Sequence, residues 1–408
     1  MALIEDLKPT NEAELASLIT EAARSAVALD VAGSGTKRAV GRPTNTTYRL
    51  STSAMRGITL YEPNEMVMSA LAGTPLLDIQ TTLAKNKQML PFEPNDLGGA
   101  LGIDTRYASI GAVFATNASG SRRLSAGAAR DHLLGVRAVN GRGEIFKNGG
   151  RVMKNVTGYD ISRGLCGSWG TLAVMSEVTF KVVPMPRSSA TLVLLGLPDE
   201  LAIEALTTAV GTPFEITGAV HIQQPLAVTL DHNGLRAQTK SVTAIRLEAD
   251  AKSIEYRRAR LIDILKIYGD IRDLDQPNSE PFWSEINRLS VFPESPKPLW
   301  RISTAPTKGP TIVKAMSRYM PVLALYDWSG GLVWLELPDS ADAGAADVRR
   351  VVATHGGHAT LIRATPEARI ATDVFQPPEP GVLRLSQKLK AAFDPANILN
   401  PGRMYVAF

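Results

Sequence analysis

Apolar residues recur at helical spacing at Leu15, Leu18, Ile19 and Ala22, behind an Asn11/Glu14 pair suited to a capping box, so an amphipathic helix is expected early in the chain. Val27, Leu29 and Val31 then alternate with smaller or polar neighbours, predicting a strand that runs into the loop Gly33-Ser-Gly-Thr-Lys37. Strands are expected at 58–61 and 66–70, and Thr74-Pro75 supplies an N-cap and a first-turn proline for a helix to about residue 85. Residues 133–139 read as a strand, Asn140-Gly-Arg-Gly143 as a turn and 144–147 as the returning strand. Val178, Phe180 and Val182 alternate with Thr179 and Lys181, which predicts a half-buried strand broken by Pro184 and Pro186.

Beyond those prolines the rhythm changes. The pattern predicts a strand at 191–197, a helix at 198–210, a strand at 242–247 and a long helix at 252–268 with Ile254, Leu261, Ile264, Leu265 and Tyr268 on its apolar face. A strand–helix pair at 300–319 precedes a hairpin, 323–328 with 332–337, turned by Ser329-Gly-Gly331; a strand at 359–362 follows. After Pro377-Pro378-Glu379-Pro380 comes a last helix at 382–393. Helices laid on one face of a mainly antiparallel sheet account for this order, so the fold class is α+β. A chain of 408 residues exceeds what one core usually fills, and the expected division is 1–186, 187–375 and a C-terminal segment, 376–408.

Hydrophobic content of 44% and charged content of 21% describe an ordinary globular protein, which sets aside fibrous and disordered classes. The net charge of +4 is scattered rather than gathered into a tail, so nucleic acid is not the expected partner. One cysteine, Cys166, excludes an internal disulfide and an iron–sulfur cluster held by this chain alone, and suits a reducing, cytoplasmic setting. Glu5 and Asp6 stand where an export signal needs basic charge, and no apolar run approaches a membrane span. Direct membrane insertion is therefore not expected; any association would come through partner subunits.

The segment between residues 110 and 183 carries Ile110-Gly-Ala-Val-Phe-Ala-Thr-Asn-Ala-Ser-Gly120, Gly158-Tyr-Asp160 and Gly167-Ser-Trp-Gly-Thr171 between apolar stretches. So little side-chain bulk lets backbone amides approach a large flat ligand, and the segment reads as a cofactor bed. Gly33-Ser-Gly-Thr-Lys37 lacks both the dinucleotide G-x-G-x-x-G spacing and the P-loop spacing; alone, it reads as an anion-binding turn or simply a turn.

In order along the chain, Val31-Ala-Gly-Ser-Gly-Thr36, Ser109 through Gly120, Arg130-Asp-His-Leu-Leu-Gly135, Asn155-Val-Thr-Gly-Tyr-Asp160 and Gly167-Ser-Trp-Gly-Thr-Leu172 resemble the FAD-binding domain of the vanillyl-alcohol oxidase and para-cresol methylhydroxylase (PCMH) flavoprotein superfamily. The resemblance covers roughly residues 5–185. Within that superfamily, Asn155-Val-Thr-Gly-Tyr-Asp-Ile161, Gly357-His-Ala-Thr-Leu-Ile-Arg363 and Phe393-Asp-Pro-Ala-Asn-Ile-Leu-Asn-Pro-Gly-Arg403 are similar to the FAD-binding E subunits of bacterial glycolate oxidase complexes, most weakly between about 198 and 293.

The resemblance implies a two-subdomain PCMH-type FAD domain, an antiparallel sheet-and-helix cap and a C-terminal segment returning to the flavin. It implies that Ala32, Gly33, Ser34, Gly35 and Thr36 face the diphosphate, with Ser109, Gly111, Asn117 and Gly120 on its other side. Gly170, Thr171 and Val174 would meet the adenosine or ribityl portion, and Asn400 and Arg403 the flavin edge. No histidine falls near the phosphate loop, so the implied FAD is noncovalent; His132 is more simply a polar strand-end residue than a flavin contact. The implied partners are a homologous catalytic FAD subunit, an iron–sulfur subunit and a small 2-hydroxy acid, glycolate being converted to glyoxylate.

The catalytic groups are not fixed. The His-Gly-Asp-Gly-Asn type of motif carried by the larger subunits of such complexes is absent, and His355-Gly-Gly-His358 reads as a helix end and turn rather than a metal site. Arg363 and Arg301 are each either a carboxylate clamp or a sheet residue, as is Glu336, and Tyr107 is a candidate proton acceptor placed ahead of the glycine-rich bed. Asp160 reads as a helix N-terminal residue and Cys166 as a small buried side chain. Two alternatives stand beside the complex subunit: a self-sufficient FAD-dependent 2-hydroxy acid dehydrogenase, and a non-catalytic assembly subunit that retains the fold.

Overall fold

A computed structural model describes residues 5–151, 158–292 and 294–408. Residues 155–157 of the quoted Asn155 motif lie outside the described residues. The early helix forms at Glu12–Arg24, with the Asn11 side chain accepting from the Glu14 backbone N–H and Leu15, Ile19 and Ala22 buried. It covers a small parallel sheet in the order Glu5–Leu7, Tyr48–Ser51, Leu29–Ala32. Leu399 bridges to Leu29, so the C-terminal segment returns to this unit.

A five-stranded antiparallel sheet follows, ordered Ile58–Glu62, Val67–Leu71, Ala173–Lys181, Leu133–Asn140, Ile145–Gly149. Ala173–Lys181 lies between two neighbours and is buried nearly throughout, not half-buried as its alternation predicts. Its Thr179 is satisfied by Ser69 at 2.8 Å, which is how a polar residue stays in an enclosed strand. The glycine-rich stretch after Ser109 folds into a short helix, Ile110–Ala115. Gly111 is required there because a Cβ would stand 2.7 Å from that of Ala72 on the adjoining strand segment. Thr74 does not cap the helix Leu76–Lys85; its hydroxyl donates to the Leu71 carbonyl, and the Leu76 N–H is met by the Ala108 carbonyl instead.

The rest of the chain builds one eight-stranded antiparallel sheet, ordered Ile271–Leu274, Ser188–Leu195, Val242–Ala249, Gly218–Ile222, Leu323–Asp327, Leu332–Glu336, Leu299–Ser303, His358–Arg363. Helices Asp199–Val210, Ala251–Leu265, Lys308–Met316 and Ala345–His355 bury Ile203, Leu206, Leu261, Ile312 and Val348 against one face. Ile264, expected on that apolar face, is 36% exposed. The other face is covered too, by the helix Gln276–Arg288 and by Val40, Leu97 and Ala100 from the first half. That second face is where the two halves of the molecule meet.

A main-chain cavity and a cationic cavity

The strand Leu29–Ala32 ends at a cavity of about 750 Å³ walled by the loop after it, the helix Ile110–Ala115, residues 168–170 and the start of Ala173–Lys181. Ala32, Gly33, Gly35, Thr36, Gly111, Gly170, Val174, Asn400 and Arg403 line it. The other nominated residues stand behind or beside it. Ser109 is buried behind Gly33, where a Cβ on that glycine would meet its Oγ at 2.2 Å, and Thr171 donates to the Ser168 carbonyl. Ser34 is not on the wall, and Gly120 sits at the seam with the other half, its carbonyl accepting from Trp328 Nε1 at 3.0 Å. Asn117 faces the neighbouring cavity, its side chain accepting from the Arg130 backbone N–H.

Gly35 has φ +86°, a left-handed turn that glycine takes without strain and that keeps the loop free of side-chain bulk at the wall. Asn400 braces the wall: its Oδ1 accepts from Val31 N–H at 2.7 Å and its Nδ2 donates to the Trp169 carbonyl at 2.8 Å. Lys37, Arg38 and Arg403 bring positive charge, and the one carboxylate on the wall, Asp30, is taken up by Arg38 at 2.8 Å and Arg49 at 3.3 Å. Burial pushes Arg403 down to about 10 and lowers Lys37 as well. Ser168 Oγ is buried in this wall without a protein partner. A glycine-rich main-chain wall, net positive charge and an unmet hydroxyl fit the diphosphate and sugar of FAD.

Lys37, Thr116 and Trp169 are shared with a second cavity, between the first half and the large sheet. Its lining includes Arg123, Arg130, Arg301, His358, Thr360 and Trp334 but, among the described residues, no Asp or Glu. The Arg123 and Arg301 guanidiniums lie 4.5 and 5.2 Å from the ring centroid of Trp328. Burial, reinforced by Arg123, pushes Arg301 down to about 10. Asp327, next to Trp328, accepts from Ser121 Oγ and from the Trp328 N–H, and its burial raises it to about 6. His358 is lowered by burial and then by Arg301, Arg123 and Arg349.

The other catalytic candidates lie elsewhere. Arg363 is committed to Glu336 at 2.6 Å and to the carbonyls of Lys297 and Ala100, so it and Glu336 tie the sheet to the first half and do not line the cationic cavity. Tyr107 is 56% exposed beside Arg106 and lines neither cavity. His355 ends its helix, and Gly356-Gly357 turn the chain into the strand that His358 opens. Asp160 caps Ile161–Leu165 by accepting from Arg163 N–H, Cys166 Sγ contacts the Phe114 carbonyl and is pushed up to about 12 by burial, and His132 is bonded to the Ala126 carbonyl. Sequence reasoning missed Ser168, Trp169 and Thr116, although all three stand inside quoted motifs; it also missed Arg123, for which no local signal exists.

Among the described residues no helix is long and apolar enough to cross a membrane. Residues 6–149 match the FAD binding domain family. Over 392 residues the chain is 32% identical to glycolate oxidase subunit GlcE of Escherichia coli, covering 95% of each. It is 24% identical over 424 residues to glycolate oxidase subunit GlcD of Bacillus subtilis, covering 98% of this chain and 88% of that one. A crystal structure of p-cresol methylhydroxylase shares the fold, with a TM-score of 0.71 at 13% identity over 99% of this chain and 89% of that chain. With a relative so similar over nearly its whole length, a matching FAD domain and a cavity suited to the cofactor, the chain belongs to the family of FAD-linked glycolate oxidase subunits.

Proposed function

We propose that this chain is the FAD-binding subunit of a glycolate oxidase (glycolate dehydrogenase) complex, which oxidises glycolate to glyoxylate and passes the electrons to a partner subunit. The observation that carries the reading is the adjacency of the two cavities: a wall of main chain suited to a dinucleotide shares Lys37, Thr116 and Trp169 with a cationic space suited to an organic acid. Bound FAD supplies a two-electron acceptor for the hydrogen on the carbinol carbon. The residues of this chain do the rest. Amides of Ala32, Gly33, Gly35 and Thr36 with Lys37, Arg38 and Arg403 would hold the diphosphate, Ser168 would bond the sugar-side polar atoms, and Gly111, Gly170 and Val174 leave room for the rings. Among the described residues no histidine lines this cavity, which is in keeping with noncovalent attachment.

The partners in this reading are a homologous catalytic FAD subunit and an iron–sulfur subunit, in the cytoplasm or at a membrane through those partners. The division into an FAD domain at 1–186, a cap at 187–375 and a returning segment at 376–408 belongs to the same reading; it is supported by the sheets, the eight-stranded one running from Ser188 to Arg363. The test is anaerobic mixing of the purified, flavin-loaded chain with glycolate, followed by the visible flavin absorbance. Slow bleaching alone and fast bleaching after recombination with the co-purified flavoprotein and iron–sulfur subunits is the expected result. A colourless protein that takes up no FAD on reconstitution would overturn it. The self-sufficient dehydrogenase is favoured by one observation, the presence of Arg301 in the cavity of this very chain, and would bleach rapidly unaided.

A further inference from the structure

Among the described residues, the deep arginines are, with two exceptions, spoken for. Arg122 pairs with Glu248 and Glu93, Arg246 with Glu93, Arg363 with Glu336, and Arg349 and Arg369 donate to backbone carbonyls. Arg123 and Arg301 have no side-chain hydrogen bond and no ion pair among the described residues, although both are drawn out of bulk water over the ring of Trp328. A guanidinium carries five N–H donors and no acceptor, so burying two of them beside each other without an anion is unfavourable. The acid at hand does not serve: Asp327 is occupied by Ser121 and its own loop.

We propose that Arg123 and Arg301 form the binding site for the carboxylate of a small 2-hydroxy or 2-oxo acid in the cavity between the large sheet and the flavin half. The inference rests on the reading of that cavity as the substrate side of an FAD site. Arg301 comes from the strand Leu299–Ser303 and Arg123 from the segment Arg123–Ala126 of the first half, so a bound carboxylate spans the junction of the two halves and presents its 2-oxygen toward the shared wall at Trp169 and Lys37. His358 and Thr360, on the strand paired with that of Arg301, are the polar groups on the same wall for that oxygen. A guanidinium fork matches a carboxylate in plane and charge, and the indoles of Trp169 and Trp334 are part of the same lining.

Oxalate, which offers the carboxylate but no carbinol hydrogen to remove, serves as probe with the FAD-loaded protein. Binding is read twice in each sample, as a perturbation of the flavin absorbance band and as a rise in Tm, which needs no flavin. Arg301→Gln and Arg123→Gln should each weaken oxalate binding on the order of 10- to 100-fold, the loss of a charge-assisted hydrogen-bonded pair, with FAD content unchanged. Arg301→Lys should recover part of it, and neutral glycolamide should bind weakly to every form. Undiminished oxalate binding in both glutamine variants would overturn the site, as would sulfate raising Tm as much as oxalate does. If the protein takes up no FAD, the earlier reading fails by itself, and the Tm response to oxalate still decides this one.

Discussion

The two adjoining cavities are built from opposite materials. The first is bare main chain: Gly33, Gly35, Gly111 and Gly170 bring amides close, and side chains such as Asn400 work from behind as braces. The second is all reach, with long cationic side chains of Lys37, Arg123, Arg130 and Arg301 converging from both halves. A main-chain wall is rigid and holds one shape of ligand whatever the neighbouring sequence. A wall of guanidiniums is held by whatever fills it, so its energetics change sign between the filled and the empty state.

The largest effect should come from the rigid wall. Gly35→Asp places a branched residue at φ +86° and a carboxylate against the diphosphate, costing on the order of a few kcal/mol and roughly 100-fold or more in FAD affinity. The flavin-to-protein absorbance ratio should collapse while the circular dichroism spectrum persists; normal flavin content would mean that the loop does not hold the cofactor.

Next comes a contrast between two arginines. Arg363→Gln leaves Glu336 buried without its guanidinium and should destabilise the protein by about 3–5 kcal/mol in chemical denaturation. Arg301→Gln removes a desolvated charge with no ion pair among the described residues and should leave the ligand-free protein as stable or more so, by up to ~1 kcal/mol. Equal destabilisation by both would erase the distinction between scaffold and site.

A smaller effect depends on pH. Asp327 is raised from 3.8 to about 6 in the folded protein, so the native state binds the extra proton; its contribution to stability is full below about pH 4 and is lost as pH rises through 6. The span is on the order of 2–3 kcal/mol. Asp327→Asn should remove that fall from the stability–pH profile, and a profile parallel to that of the parent would show that the group is not perturbed. Least of all, Tyr107→Phe should change glycolate-driven flavin reduction and stability within about 0.5 kcal/mol, since its ring stands in solvent beside Arg106. A large loss of rate would return that tyrosine to the site.

The same division explains what could be read from the chain. A backbone that must approach a flat ligand needs glycine at fixed places, and such a need is written locally, which is why the loop after Val31 and the stretch around Gly111 were visible. Ser168 and Trp169 sit inside one of those motifs, yet their role depends on which atoms point inward, and the motif does not carry that. Arg123 and Arg301 lie far apart in sequence and meet only through sheet packing. The fold was legible where a strand alternates or where turn residues bound an apolar run, as Ser329-Gly-Gly331 does beside Leu332–Glu336, a strand buried at every position. Gly218–Ile222 is buried at all five positions and shows no alternation, so it was missed, and a Cβ at Gly218 would strike Trp283 at 2.7 Å. The helix Gln276–Arg288 carries a proline at its first turn and Pro281 inside, and prolines read as breaks.

Asn400 grips Val31 across 369 residues of chain, and Leu399 stitches onto Leu29 beside it. During translation, then, the strand and phosphate loop wait for that brace until the further 369 residues that end at Asn400 have left the ribosome. Flavin loading is accordingly a late event in the life of a nascent chain, and ribosome-stalled intermediates lacking that stitch should be colourless.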